Sequence, residues 1–269
     1  MDRQVRDFNV RLRTIRIREL IVGIIISIIL SGVVVAIFPE FYYNDDLLFI
    51  LLLSFMLFFF AWCLKDTVGL SEDFEKLFLK ENMNEILYVF AINIIFAFIF
   101  LFVIVAMDFA MGIVDPTWIT GFDIDHVDLT PGAFLFSAIA TILYAPVMEE
   151  LIFRGVIFNR LKIRTGIVPA MVISSFIFAI GHDFGGIISA FLFGICMCIL
   201  YLKTDNILIP MSVHFINNLV ATLLDVINID AMVSQFPWII LLGGLVGVST
   251  ILLIKYILDE IGALKIKYN

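Results

Sequence analysis

The chain has 269 residues, of which 62% are hydrophobic and 16% charged, with 28 phenylalanines and a mean hydropathy of +1.09. A water-soluble domain is nearer half apolar and about a quarter charged, so the composition excludes that class and points to an integral membrane protein. The net charge of −8 decides little, because the placement of charge matters more here than its sum.

Residues 1–18 carry six arginines (Arg3, Arg6, Arg11, Arg13, Arg16 and Arg18), while Val5, Phe8, Leu12 and Ile15 recur at helical spacing. One apolar stripe on a basic helix suits a segment lying on an anionic membrane face. A solvated basic tail that only orients the first span fits equally well. A short arginine cluster abutting a span does not point to nucleic acid.

A membrane-crossing helix needs about 20 apolar residues. Runs of that kind predict spans at Leu20–Phe38, Leu47–Leu64, Ile86–Met107, Gly132–Phe158, Ile167–Gly181, Ile187–Leu202, Ile207–Val226 and Trp238–Ile257. The first is too long for a signal-peptide core and has no small-residue cleavage site after it, so it is kept as a span.

The connecting segments support that count, because cytoplasmic loops collect Lys and Arg. Basic residues fill the N-terminus, the 65–84 loop (Lys65, Lys76, Lys80), the 159–166 loop (Arg160, Lys162, Arg164), the turn at Lys203 and the C-terminal end. The 38–46 loop, the 108–131 loop, the turn near Asp183 and the 227–236 loop have none. The alternation predicts an all-α integral membrane protein of about eight transmembrane helices with both termini cytoplasmic.

Asp123, Asp125 and Asp128 crowd the 108–131 loop but lack the glycine and terminal glutamate of a calcium-binding EF-hand loop, so they are read as an acidic outer loop. His126 in that loop is read as a surface histidine. Cys63, Cys196 and Cys198 lie in apolar runs and are read as small buried hydrophobes, with no disulfide framework.

Ionisable groups inside a span are costly and usually mark a working site. The fourth span contains Glu149, Glu150 and Arg154. Residues four apart share a helix face, so Glu150 and Arg154 are placed to pair, with the glutamate N-terminal, the favourable order. Glu149 points about 100° away and is left without an obvious local partner. An unpaired carboxylate beside a charged one suits general base and acid work. A structural polar clamp is the competing reading.

Two more polar features follow. Ser174 and Ser175 permit close helix packing ahead of Phe178 and His182. His214 and Asn218 share a face and offer two donors to a developing oxyanion. Nearly every other strongly polar side chain lies outside the spans; Asn93 is the main exception and is assigned to packing.

Glu149-Glu150-x-x-x-Arg154, Phe178-x-x-x-His182 and His214-x-x-x-Asn218, with Phe193-Gly194 and Tyr201-Leu202-Lys203-Thr204 between them, resemble the motifs of the CPBP family (CAAX protease and bacteriocin-processing, or Abi) of intramembrane glutamic endopeptidases. The resemblance covers about residues 130–222. Cys198 departs from it, standing where many members have a second glycine four residues after Gly194. It divides the chain into a basic amphipathic segment (1–19), three N-terminal helices with their loops (20–130), a CPBP-like catalytic core (131–222), and a last helix with a cytoplasmic tail (223–269).

The resemblance implies that Glu149 activates water with His182 assisting, that Glu150 and Arg154 order the site, and that His214 and Asn218 form the oxyanion hole. The chain has no His-Glu-x-x-His motif, and Asn218 stands where a further imidazole ligand would be expected, so no metal and no cofactor are favoured. The family has also been classed among zinc metalloproteases, and Glu149, His182 and His214 would then be the ligands. The expected substrate is a membrane-associated peptide or protein, prenylated or otherwise membrane-bound. The chain's brevity and motif style suggest a bacterial cell membrane, with peptide maturation or bacteriocin self-immunity as the role. A catalytically silent scaffold of the same fold and a proton-coupled transporter are the rivals.

Depth is the open geometric question. At 1.5 Å per residue, Glu149 lies roughly 15 Å from the inner end of its span, His214 roughly 12 Å from Ile207, and His182 roughly 20–25 Å in. The site is expected to open to water on the cytoplasmic side.

Overall fold

The structure is a computed structural model that describes residues 1–115 and 131–268. Asp123, Asp125, His126 and Asp128 lie outside the described residues. Among the described residues every regular element is helical, and pairing outside helices is limited to an isolated bridge between Asp7 and Val68. The chain is a multi-pass integral membrane protein.

In chain order the helices are α1 (Phe8–Thr14), α2 (Ile17–Ile37), α3 (Asp45–Cys63), α4 (Leu70–Leu77), α5 (Lys80–Phe96) and α6 (Ile99–Val114). The continuous helix Pro131–Thr165 follows, built from α7 (Pro131–Ala138), α8 (Ala145–Glu149) and α9 (Asn159–Thr165) joined by two π-helical stretches. Then come α10 (Ile167–Ala179), α11 (Ile187–Thr204), α12 (Leu208–Val226), α13 (Ile229–Val233) and α14 (Trp238–Tyr268).

Seven helices among the described residues are long and apolar enough to cross a membrane. The fifth of the eight predicted spans is the exception. Its helix, α10, has 13 residues and is about 20 Å long, short of a hydrocarbon core of about 30 Å. The third predicted span is broken at Ala97 and Phe98 between α5 and α6.

The core centres on α11, in which every residue from Phe193 to Leu202 is buried. α10 packs along it so closely that a Cβ on Gly194 would sit 2.9 Å from the Cβ of Ser175. Glycine and serine at that crossing let the backbones approach, as predicted for Ser174 and Ser175. α12 and α14 both pack on α5, and α2 packs on α3 through a seam of Leu20, Gly23, Ser27 and Ser31.

The N-terminal segment departs from both readings of it. Its stripe faces the protein: Leu12 and Ile15 are fully buried, and Leu12 sits where a side chain on Gly155 would otherwise go. Arg11 donates to the Lys65 carbonyl at 2.7 Å, and Arg13 bonds the Tyr201 hydroxyl at 3.0 Å and pairs with Asp205. Asn9 bridges Asp73 and the backbone N–H of Ile207. Burying Leu12 and Ile15 stabilises this seat by about 1.5–3 kcal/mol each, more than lying on a polar lipid surface would return. Two of the six arginines, Arg11 and Arg13, are thus used for internal pairing.

Candidate active site

Glu150 and Arg154 form the predicted i,i+4 pair. Arg154 Nη1 donates to Glu150 Oε1 at 2.9 Å, with both side chains almost wholly buried. Arg154 is further tied to the Gly194 carbonyl at 3.3 Å and lies over the Phe178 ring at 4.6 Å. A charge pair this deep is costly unless its remaining donors and acceptors are met; α11 and α10 supply these two contacts, while Glu150 Oε2 and Arg154 Nε make no hydrogen bond within the protein.

Glu150 Oε1 also accepts from His214 at Nδ1, 2.9 Å away. A carboxylate can only accept here, so Nδ1 carries the proton and Nε2 faces outward. Glu149 Oε2 lies 3.7 Å from that Nε2. The adjacent glutamates thus sit against the two nitrogens of one imidazole, with Glu150 inside and Glu149 half-buried. Glu149 Oε2 makes no hydrogen bond within the protein.

His182 bonds the Phe178 carbonyl through Nδ1 at 3.1 Å, which makes Nδ1 the donor and leaves Nε2 as the free acceptor. Phe178 contacts both histidine rings, with centroids 4.6 Å from His182 and 5.9 Å from His214, and Phe193 packs edge-on to His214 at 5.0 Å. His182, His214 and Asn218 line one cavity of about 140 Å³, room for a few waters. Asn93 also lines it, with Nδ2 on the Val89 carbonyl at 2.8 Å, so its place is a cavity wall as well as a packing seam.

The depth question resolves through an overhang. Asn159 reaches the Tyr201 hydroxyl (3.5 Å), three residues before α11 ends, and Arg160 bonds the Ile15 carbonyl at 2.7 Å. Residues 159–165, about 10 Å of helix, therefore extend beyond the level where α12 begins, covered by α1. Measuring His182 from that level brings it to roughly the depth of Glu149 and His214.

Within that frame, residues 131–220 match a protein-family model. It is the family described as type II CAAX prenyl endopeptidase Rce1-like. The resemblance read from the motifs holds over that segment. A Bacillus subtilis (strain 168) protein named "Putative membrane peptidase YdiL" is 32% identical over 96 residues, 35% of this chain. The match spans 38% of that relative's length. No solved structure matches.

Several supporting residues had no signal in the motifs. The π-helical stretches Ile139–Tyr144 and Glu150–Phe158 displace carbonyls from ordinary helix bonding, and side chains take them up. Asn218 Nδ2 donates to the Thr141 carbonyl at 2.9 Å, Ser174 to Phe153 at 3.3 Å, and Asn159 to Arg154 and Gly155 at 2.7 and 3.0 Å. Pro146, which has no N–H to give, stands two residues after the first stretch. Asn218 thus spends one of its two amide hydrogens on the helix that carries the glutamates.

The suggested zinc ligands fit poorly. Glu149, His182 and His214 do not gather into a ligand set; among the described residues no group of three or more His, Cys, Asp or Glu could hold a metal ion.

The opening also differs from expectation. Ala97, Gly186 and Ser189 line both the site cavity and a second one of about 350 Å³ that runs on to Phe100, Leu224 and Ile229. Among the described residues the route out therefore leads to the end bearing the Phe184–Gly186 turn and α13, away from the arginine-rich end. The short α10 explains it: the helix ends at Ala179, and His182 beyond it is exposed.

Proposed function

We propose that the protein is an intramembrane endopeptidase that cleaves a membrane-associated peptide or protein with a water activated by Glu149. The observation that carries this reading is the split of the two glutamates across His214: Glu150 is clamped by Arg154 and His214, while Glu149 keeps an oxygen without a protein partner beside the imidazole. A carboxylate held so is available to take a proton from water, and general-base catalysis contributes about 10²–10⁴-fold.

In the reaction, Glu149 draws the proton as the water oxygen attacks the carbonyl carbon. The C–O bond forms as the carbonyl π pair moves to oxygen. His182 Nε2, on the cavity that His214 and Asn218 also line, assists in orienting the water. The second amide hydrogen of Asn218 is one donor for the oxyanion, and His214 in its doubly protonated form, with Nδ1–H on Glu150, supplies the other from Nε2. Collapse expels the amine, which takes the proton from Glu149. The clamp on Glu150 fixes the face of His214. No step needs a metal.

The family match concerns 131–220, so the substrate follows from the site. It is an extended peptide segment, prenylated or otherwise held at the membrane, that reaches a cavity opening within the bilayer's span. The test is cleavage of such peptides by the purified chain reconstituted in lipid. Glu149→Gln should lose at least 100-fold in turnover while keeping its thermal midpoint. Undiminished cleavage by Glu149→Gln would overturn the assignment of the base. Absence of any cleavage, with pH-gradient-driven flux in its place, would favour a transporter.

A further inference from the structure

The arginine-rich end carries charge that the candidate site does not use. Arg11 and Arg13 are satisfied internally, but Arg16 and Arg18, at the start of α2, are exposed. They line a groove of about 540 Å³ with Arg160 and Arg164 from α9. Its other walls are Ile17, Leu161 and Ile163. No carboxylate lines it, and none of the four guanidinium groups is in an ion pair among the described residues.

The nearest candidate counter-charge is already engaged. Both Glu19 oxygens accept from the Met1 amino group, at 2.7 and 2.8 Å, and one also accepts from the Arg16 backbone N–H at 2.9 Å. Arg160 is half-buried and pinned through Nε to the Ile15 carbonyl, so its head is fixed at the groove. Four like charges drawn together by two helices repel one another unless an anion sits between them. A phosphate oxygen pair matches the guanidinium fork.

The position selects the kind of anion. Ile17 begins one membrane-spanning helix and Thr165 ends another, so the groove sits where two spans leave the apolar layer. That is headgroup level. Ile163, 71% exposed, gives the groove an apolar lip where acyl chains would begin. We propose that Arg16, Arg18, Arg160 and Arg164 form a binding site for the headgroup phosphate of an anionic phospholipid. Bound there, the lipid ties α2 to the end of the helix that carries Glu149 and Glu150. The site is independent of the peptidase reading.

The test uses the full chain in a neutral detergent, with thermal unfolding followed against added phosphatidylglycerol, phosphatidylcholine or inorganic phosphate. Phosphatidylglycerol should raise the midpoint and phosphatidylcholine should not. The double variant Arg18→Gln/Arg164→Gln, at two exposed positions, should need about 25-fold more phosphatidylglycerol for the same shift, at about fivefold per arginine removed. Arg6→Gln, an exposed arginine outside the groove, should titrate like the parent. Equal stabilisation by phosphatidylcholine, or an unchanged titration in the double variant, would overturn the proposal. An equal shift from inorganic phosphate at the same phosphate concentration would do so too, by marking a free-anion site.

Discussion

Two helices of similar length behave as opposites in this molecule. α2 is the more apolar, yet only 22% of its most apolar window is buried in the protein. The Phe184–Thr204 segment, which contains α11, is less apolar, and 61% of its window is buried. In water the ranking would be reversed. In a membrane lipid is as apolar as leucine, so burial goes to the helix that can be approached from all sides. α11 can, because Gly194, Cys196 and Cys198 leave room for α10, α12 and the Pro131–Thr165 helix. α2 presents its isoleucines to lipid and keeps a narrow seam for α3.

The comparison is broken most severely where α11 meets the buried charges. Arg154→Ala leaves Glu150 buried with one less counter-charge and removes the bond to the Gly194 carbonyl; about 3–5 kcal/mol should be lost, read as a large fall in thermal midpoint in detergent. Next comes Asn159→Ala, which strands the Arg154 and Gly155 carbonyls of the π-helical stretch. Two buried acceptors left unmet should cost about 1–3 kcal/mol in the same assay.

Gly194→Ala pushes a methyl into Ser175 at the α10 crossing and should cost about 1–3 kcal/mol, together with some loss of peptide cleavage, since Phe193 beside it packs on His214. Gly32→Ala is the counterpart in α2. Nothing lies within 4 Å of the added Cβ, so the change should be neutral or stabilise by up to about 1 kcal/mol through helix propensity. Equal costs at Gly194 and Gly32 would sink the distinction between a lipid-facing and a protein-buried helix.

Much of the site was legible because membrane burial makes each ionisable residue conspicuous. Glu150–Arg154 followed from i,i+4 spacing alone, and the structure forms it at 2.9 Å. His182, His214 and Asn218 were marked by polarity within apolar runs. Asn159 and Ser174 were not assigned to the site, because their work is to satisfy carbonyls freed by π-helical turns. Those turns have no sequence period of their own. The cavity role of Asn93 was missed for a related reason: one polar residue on an apolar face reads the same whether it borders packing or a cavity.

The sequence by itself determined the membrane class, the approximate spans, the glutamate pair and the order of the three motifs. These depend on hydropathy and on spacing along one helix, which are local properties. Only the tertiary structure decided that the basic N-terminal stripe is seated against Gly155, that residues 159–165 overhang and so level the histidines with the glutamates, and that the cavity opens away from the arginine-rich end. Each depends on how far one helix slides past another, and that offset is set by side-chain packing between segments far apart in the chain.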